Sequence, residues 1–434
     1  MHGIRARIRT RRLKANIRYR AQILVLSFAC SMSAFSQTQP PGVPTVLDLK
    51  TAMELMIAHS PVLQRERQGI AAARGNLIDA RQFPNPALDI SSESYPLFES
   101  NPGSFFNQQE LTFRVGQTLE TAGKRGKRMA VATKDIDVVQ SSVQDTLRQL
   151  KLELKTRYYG VALAQAQLQL AQELLTQYDD VLRVNEARYK QGETSGLEYS
   201  RLQTERFRFL SDLANAELQV RNSRAALLEI IGMVDLNADF TVAEPVKGSV
   251  PNPALADLFL RAEDGRPDLR AQRQRLERER LNIKLQRASR VPDITPSAGY
   301  KRDFGQNTIA FGLNFSLPVF NRNQGAIARA EAESRRQDFE VARVRLQVRR
   351  EVQQAYNALQ TQQRLVESLE STYVPGAKRA RDIAQQSFRL GATDLINFLD
   401  AERTYRETLR TYNQTLYERR IAVAGLEAAV GTDF

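Results

Sequence analysis

The sequence predicts an α+β membrane protein in which two internal repeats each supply two β-strands and a pair of very long helices. The first observation is a duplicated motif, because residues 189–201 and 388–400 align with Gly192 opposite Gly391 and Thr194 opposite Thr393. The second is a change from helical to strand spacing of apolar residues before each long helical stretch. The third is the length of those stretches, which exceeds that of ordinary globular helices. Together they predict a β-barrel sector continued by long helices in coiled-coil packing.

The chain begins with a segment typical of a secretory signal peptide, residues 1–36. Residues 1–20 hold eight Lys and Arg and no acidic residue, and an apolar run at 21–29 and small residues at 31–36 follow. Because these eight charges make up most of the formal net charge of +13, their removal leaves +5. The mature chain therefore lacks the large basic excess of nucleic-acid binders, and we predict no nucleic-acid partner.

The single cysteine, Cys30, lies within this segment. Lipidation of Cys30 is an alternative to simple cleavage, although Leu26 stands four residues before it rather than the three of a lipobox. A twin-arginine export signal at residues 10–12 is a second alternative. A mature chain without cysteine suits an oxidising envelope compartment.

The first repeat is predicted over residues 37–234. Helical patterns at about 47–58 and 62–82 break at Ser60-Pro61 and at residues 83–86. Alternation of apolar with small or polar residues then predicts strands at about 87–95 and 110–119. A basic turn leads into long helices at about 127–190 and 195–231. Apolar residues near heptad spacing, from Leu147 to Leu175, favour antiparallel coiled-coil packing.

A linker at residues 235–253 is predicted to precede the second repeat, residues 254–431. Its strands are predicted at about 294–301 and 308–319, and its long helices at about 325–389 and 394–430. Pro375 and Gly376 fall inside the first of these helices. We expect them to kink or break it, because proline has no backbone N–H to donate.

Strands of this length with one apolar face are typical of outer-membrane barrels, but four strands cannot close a barrel. The chain is therefore predicted to contribute a sector to an oligomer. A trimer with twelve strands is the simplest count, and a dimer with eight would leave a tight lumen. The alternative is a small soluble β-sandwich attached to a coiled-coil stalk.

The repeat, the hairpins and the glycine-containing tips resemble the TolC-type outer-membrane efflux proteins over residues 45–431. Residues 117–128, QTLETAGKRGKR, and residues 317–325, LPVFNRNQG, are similar to the heavy-metal (CzcC-like) branch. The resemblance implies a homotrimeric barrel in the outer membrane of a Gram-negative cell, in contact with outer-membrane lipid. It also implies a periplasmic α-helical tunnel that docks on a periplasmic adaptor (membrane fusion) protein and an inner-membrane resistance-nodulation-division pump.

The repeated tips form the first candidate site, because adaptor hairpins insert at the family's periplasmic turns. By this resemblance we expect adaptor contacts from Arg188, Gly192, Thr194, Ser195, Leu197, Arg389, Gly391, Thr393 and Leu395. The alternative is a role in the fold alone, since glycine after a helix C-terminus commonly has only that role.

A pore constriction is the second candidate site, and here the sequence departs from the family. The family's two lumen-facing acids correspond to Asn397 and Asp400, so one acid is missing, and the family's gate arginine corresponds to Thr393. Asp394 and Glu198 lie nearby and are candidates to compensate. A ring of aspartates would attract cations. The alternative for Asp400 is a solvated helix position or a cap between subunits.

The sequence predicts no catalytic, cofactor-binding or metal-binding residues, so we do not expect an enzyme. Once the signal segment is removed, His59 is the only histidine and no cysteine remains, whereas tight transition-metal sites need such ligands. We expect His59 to lie at a helix end. The basic residues 124–128 are interpreted as contacts to lipid headgroups, with phosphate binding as the alternative.

The leading hypothesis for function is a passive outer-membrane exit duct of a tripartite efflux system. Its expected cargo is heavy-metal cations of the cobalt, zinc, cadmium, nickel or copper type. The same duct in multidrug efflux or type I secretion is the nearest alternative. A periplasmic coiled-coil scaffold without a pore is an alternative of a different class.

Overall fold

The computed structural model describes residues 43–93, 110–243, 254–303 and 306–433. The predicted signal peptide with Cys30, the first hairpin loop and residues 244–253 of the predicted linker lie outside these ranges.

The first half of the described chain is dominated by two long helices joined by a short turn. Its elements are β1 (Val46–Leu47), α1 (Leu49–His59), α2 (Pro61–Arg81), β2 (Ala87–Glu93), β3 (Glu110–Gly116), α3 (Lys124–Lys190), α4 (Gly196–Ile231) and β4 (Thr241–Val242). Helix α3 contains 67 residues, which corresponds to a length of roughly 100 Å.

The second half has the same order of helices and strands around its own hairpin. Its elements are α5 (Leu255–Gly265), α6 (Pro267–Ala288), β5 (Thr295–Asp303), β6 (Gln306–Asn314), α7 (Gln324–Ser368), a π-helical turn (Leu369–Tyr373), α8 (Val374–Arg389) and α9 (Leu395–Val430). His59 ends α1, as expected from the sequence.

The sheet separates apolar from polar side chains across all four of its strands. The strand order is β2-β3-β5-β6, and every pairing is antiparallel. The registers align two apolar rows on one face, formed by Ile90, Phe113, Tyr300 and Ile309 and by Leu88, Val115, Ala298 and Phe311. A row of Ser91, Thr112, Lys301 and Thr308 lies on the opposite face. The strand alternation inferred from the sequence is therefore present as two chemically different faces.

The predicted strand at 308–319 is too long, because β6 ends at Asn314. Asn314 pairs with Thr295, the first residue of β5, so the ladder between these two strands has no further partner residue. Beyond it, the Val319 backbone N–H donates to the Leu317 carbonyl at 2.9 Å instead of to a strand.

Two predictions around Leu47 are also wrong. Leu47 was expected in the first helix, and residues 241–242 were expected in a linker, but they form the parallel pair β1 and β4. Leu47 is fully buried, and its carbonyl accepts a hydrogen bond of 3.0 Å from the Tyr158 hydroxyl of α3. This pairing holds the segment before α1 against α3. Helix α1 then begins after Asp48, whose carboxylate accepts a hydrogen bond from Thr51 N at 3.2 Å.

Each half also contains an elbow, which is the break between its two short helices. The glycine that follows a long helix packs against this break. Gly232 follows α4 with φ of 89°, and a Cβ there would lie 2.6 Å from the His59 carbonyl oxygen. Gly431 follows α9 with φ of 84°, and a Cβ there would lie 3.2 Å from the Gly265 carbonyl. The close approach of these backbones therefore requires glycine at both positions.

The expected interruption at Pro375-Gly376 is confirmed by the π-helical turn Leu369–Tyr373, directly before α8. Proline cannot donate a backbone hydrogen bond, and the wider turn accommodates the missing bond without ending the helix. The corresponding α3 runs without a break through its 67 residues. Within the ranges the structure describes, no helix is both long and apolar enough to cross a membrane.

Candidate functional site

The tips of the α3–α4 and α8–α9 hairpins are two turns with the same backbone geometry. Gly192 and Gly391 adopt left-handed φ values of 77° and 71°. In the first turn Glu193 N donates to the Arg188 carbonyl at 2.9 Å, and in the second Ala392 N donates to the Ser387 carbonyl at 2.8 Å. These are Schellman motifs, in which glycine avoids the steric cost of the left-handed conformation.

The helices that leave the tips begin with side-chain caps. Ser195 and Glu198 form a capping box, in which each side chain accepts from the other's backbone N–H at 3.2 Å. At the second tip, the Asp394 carboxylate accepts from Asn397 N at 2.9 Å. The carboxylates of Glu198 and Asp394 are thus engaged with helix N-termini, where the helix dipole favours negative charge.

An aromatic pair closes each hairpin above its tip. Tyr189 and Tyr199 stack with ring centroids 5.0 Å apart, and Phe388 and Phe398 stack at 5.3 Å. These four residues occupy matching positions of the duplicated motif. The pairs hold incoming and outgoing helices together at the turn.

The two tips are in direct contact, because Arg188 Nη2 donates to the Arg389 carbonyl. Leu197 is 63% exposed, whereas Leu395 is only 3% exposed and packs in the core beneath the tips. Burial therefore argues against the predicted partner contact by Leu395. Sequence reasoning missed Leu390 and Ile396, which are 76% and 61% exposed and flank the matched positions. The tips therefore present these apolar side chains, rather than Leu395, to solvent.

The four predicted constriction residues have different environments. Asp394 and Glu198 act as caps, and the Asn397 amide donates to Thr393 Oγ1 at 3.4 Å. Asp400 is exposed on α9, and its carboxylate forms no hydrogen bond or ion pair with the described residues. Of the three carboxylates among them, that of Asp400 remains available to other groups.

Sequence reasoning missed a charged layer inside the helical hairpins. Glu402 and Arg406 of α9 and Arg381 of α8 are each 7–8% exposed. Glu402 and Arg406 continue the buried face of α9 that begins with Leu395 and Phe398. The signal was present in the sequence, because the spacing places charges at positions of a helix face that otherwise holds apolar residues.

Electrostatics in this layer are dominated by burial. Burial raises the pKa of the Glu402 carboxyl, and the nearby Arg381 and Arg406 only partly offset it. The Arg381 guanidinium lies 4.6 Å from the centre of the Tyr405 ring and donates to Gln177 Oε1 at 3.2 Å. The layer thus joins α8 and α9 to α3.

A sequence model of a known family covers most of the chain. The model of the outer membrane efflux protein family matches residues 52–233 and 258–432. The chain belongs to this family. It is therefore an outer-membrane protein.

The relatives and solved structures agree with membership of the outer membrane efflux family. The cobalt-zinc-cadmium resistance protein CzcC of Cupriavidus metallidurans is 23% identical over 93% of this chain and 96% of its own length. The pyoverdine export outer membrane protein OpmQ of Pseudomonas putida is 26% identical, covering 86% of this chain and 78% of OpmQ. The structure of the channel CusC superposes with a TM-score of 0.75 at 19% identity, covering 89% of this chain and 93% of CusC. The chain therefore has the fold of TolC-like channels.

The basic residues 124–128 of this outer membrane efflux protein are largely engaged within the chain. Lys124 is buried and pairs with Asp293 at 2.7 Å, and Arg128 pairs with Glu120. The Arg125 guanidinium lies 4.0 Å from the centre of the Phe83 ring. These contacts connect the end of the sheet to the start of α3. Fewer of the basic side chains at 124–128 are therefore free to bind phosphate or lipid headgroups than the sequence suggests.

The described residues contain no metal site built from a cluster of histidine, cysteine or acidic side chains. No group of three or more His, Cys, Asp or Glu side chains there is arranged to hold a metal ion.

Proposed function

We propose that three copies of this chain form a passive duct through the outer membrane, each copy giving four strands of a twelve-stranded barrel. The observation that carries the proposal is the division of the sheet into an apolar and a polar face. An apolar face suits lipid, and a polar face suits a water-filled lumen. The outer edges of β2 and β6 have no partner strand in the described chain, and closure with neighbouring copies would satisfy them.

The chain is proposed to consist of two repeats, residues 37–234 and 254–431. The matched Schellman turns, the aromatic pairs and the glycine elbows support this division. In a trimer the two tips of each copy would give six tips at the periplasmic mouth.

The tips are proposed to dock on a periplasmic adaptor protein, which links the duct to an inner-membrane resistance-nodulation-division pump. The contact to the adaptor is assigned to exposed parts of both turns, chiefly Leu197, Leu390 and Ile396 with the polar groups of Thr194 and Thr393. Leu197, Leu390 and Ile396 have large exposed fractions, which supports the assignment, because a partner that covers apolar side chains at a hairpin tip lowers the free energy of the complex.

The cargo is proposed to be heavy-metal cations. The likeness to CzcC, which is named for resistance to cobalt, zinc and cadmium, covers nearly the whole chain and supports this cargo. The exposed Asp400 would supply the negative charge at the constriction when three copies meet. Export of a larger organic molecule is the second candidate, because OpmQ is named for export of pyoverdine and is similar over 86% of the chain.

Tolerance measurements in a deletion strain test the cargo. Loss of tolerance to cobalt, zinc, cadmium, nickel or copper, restored by the gene supplied in trans, is the expected result. A strain that keeps metal tolerance but becomes sensitive to drugs, or fails to export a siderophore, would contradict the metal assignment. Conductance of the purified protein in planar bilayers tests the duct separately, and its absence would favour a scaffold without a pore.

A further inference from the structure

The four helices that adjoin the sheet pack side by side in the same order as the strands. Helix α2 packs on α3, α3 on α6 and α6 on α7. Helix α2 leads into β2, and α7 follows β6, so each end helix continues a strand at an edge of the sheet. Helices α2 and α7 are therefore the two ends of this helix layer.

The two repeats align helix by helix. Three buried positions of α3 match three buried positions of α7 at one constant offset, namely Leu150, Leu154 and Val161 with Val348, Val352 and Leu359. The tip motifs match at an offset one residue larger, and the π-helical turn that lies between takes up the extra residue. In the same way, Pro61 and Leu63 at the start of α2 match Pro267 and Leu269 of α6. Helix α3 therefore corresponds to α7, and α2 corresponds to α6.

The junction between the repeats, where α6 packs on α3, is polar. Three side-chain contacts cross it: Ser141 with Gln274 at 2.7 Å, Lys134 with Glu277 at 3.1 Å and Asp135 with Arg278 at 2.7 Å. Positions 134, 135 and 141 therefore mark the face of α3 that receives α6. Positions 274, 277 and 278 mark the face of α6 that receives α3.

The corresponding face of α7 is apolar and exposed. Phe339 stands where α3 has Ser141, and it is 76% exposed. Leu346, two turns further along the same side of the helix, is 68% exposed. Two exposed alanines complete the set, which we call the α7 stripe: Ala332, Phe339, Ala342 and Leu346. Exposed apolar side chains that adjoin one another in this way mark places where another surface binds.

Helix α2 carries a matching face of small and polar residues. Three exposed residues stand at the positions that in α6 face α3: Gln68, Ala71 and Ala72. The alanines replace two charged residues of α6, and on the facing helix Ala332 replaces Lys134. The charge that remains at these positions, Glu333 of α7, pairs with Arg336 of its own helix at 2.6 Å. The two faces can therefore cover each other without leaving an unpaired charge, and the alanines leave room for the Phe339 ring.

We propose that the α7 stripe packs against Gln68, Ala71 and Ala72 of α2 in a second copy of this chain. Within one chain α6 covers the matching face of α3, and α6 corresponds to α2, so the repeat itself indicates what covers α7. Because α3 and α6 lie between α2 and α7 in one layer, the α2 that meets α7 belongs to another copy. This helix contact rests on the proposed closure of three copies, to which it adds the helices that join them. Contacts between copies are then apolar at positions where those within a copy are ionic.

Crosslinking of the full-length protein in outer-membrane fractions tests the helix contact. Phe339→Cys is combined with Gln68→Cys, at the counterparts of Ser141 and Gln274, and a short bismaleimide is added. A covalent trimer is expected. Asp338→Cys with Gln68→Cys is the matched control, because Asp338 is exposed at the same level of α7 but is turned from Phe339 by about 100° around the helix. Its yield of covalent trimer is expected to be several-fold lower.

A second measurement compares the stability of the assembly. Phe339→Gln is expected to lower the temperature at which the trimer dissociates in detergent by several degrees, because the ring is covered only in the assembly. Asp338→Asn is expected to leave that temperature unchanged. Both residues are exposed in one chain, so neither substitution disturbs its core, and helical circular dichroism verifies the fold of each variant.

The pair Ser141→Cys and Gln274→Cys shows whether the reagent spans this contact, since it should form a link within one chain. If that link forms and cysteines on the edges of β2 and β6 give a covalent trimer, but Phe339→Cys with Gln68→Cys does not, the helix contact is overturned and the barrel stands. If no pair gives a trimer, the proposed duct fails as well. A dissociation temperature that is unchanged in Phe339→Gln equally overturns the helix contact.

Discussion

Replacement of Gly232 by alanine is expected to destabilise the protein strongly, because this glycine meets two separate requirements. Its φ of 89° is left-handed, and this conformation costs an alanine about 1–2 kcal/mol. A Cβ would also lie 2.6 Å from the His59 carbonyl oxygen and 3.2 Å from Pro61 Cδ. Both neighbours belong to the elbow between α1 and α2 and cannot swing away, so the backbone must shift, at about 1–3 kcal/mol. The expected total is about 2–5 kcal/mol.

The matched control is Gly192→Ala at the first tip. Gly192 has a similar φ of 77°, but a Cβ there meets no atom within 4 Å. Only the conformational cost of about 1–2 kcal/mol applies to this variant. The difference between the two variants therefore isolates the steric overlap at the elbow.

Thermal unfolding followed by helical circular dichroism measures both variants under one buffer and scan rate. At roughly 2–4 °C per kcal/mol, Gly232→Ala is expected to lower Tm by about 4–20 °C and Gly192→Ala by about 2–8 °C, with the larger fall in Gly232→Ala. Equal Tm values for the two variants would refute the argument that the elbow demands glycine for close approach.

Three further substitutions test the charged groups. Glu402→Gln is expected to raise Tm at neutral pH. Burial raises the pKa of the Glu402 carboxyl in the folded protein, so its protonated form stabilises the fold at low pH and this stabilisation is lost as pH rises through that pKa. Glutamine keeps the side chain neutral at every pH. A pH–Tm profile checks this, with Glu407→Gln as the exposed control; an unchanged profile would contradict it. Arg266→Met is expected to cost about 3 kcal/mol, because the 1%-exposed arginine pairs with Glu351 at 2.8 Å, and a Tm within error of wild type would refute this. Asp400→Asn is expected to reduce cation preference in reversal-potential measurements on planar bilayers, and unchanged selectivity would exclude Asp400 from the constriction.

Much of the fold follows from local patterns in the sequence. Helix α3 and the strands β2 and β3 were predicted nearly to their ends, because apolar spacing and the breaks at Pro84 and Gly123 are local signals. The turns at the two tips were predicted for the same reason, since Gly192 and Gly391 mark them directly.

The misses depend on contacts between distant segments. Leu47 leaves the predicted helix because it pairs with Val242, and β6 stops at Asn314 because its partner strand begins at Thr295. No local pattern reports these partners. The layer around Arg406 was missed because charged residues on a helix are ordinarily solvated, although their spacing from Leu395 and Phe398 placed them on the apolar face of α9.

Crosslinking between the sheet edges tests the proposed trimer most directly. Ser91 of β2 and Thr308 of β6 lie in one row at opposite edges of the sheet, three strand spacings or about 14 Å apart. That distance forbids a disulfide within one copy. A cysteine at position 91 is combined in turn with one at each of positions 306, 308, 310 and 312, since the register between copies is not fixed by one chain. The protein in outer-membrane fractions is oxidised and separated without reductant.

For at least one pair, closure of a three-copy barrel predicts a covalent trimer, about three times the 49.1 kDa of the chain before any cleavage. Neither single-cysteine variant should give more than a dimer. Species that stop at the dimer for every pair, or ladders that extend beyond the trimer, would contradict the twelve-stranded duct.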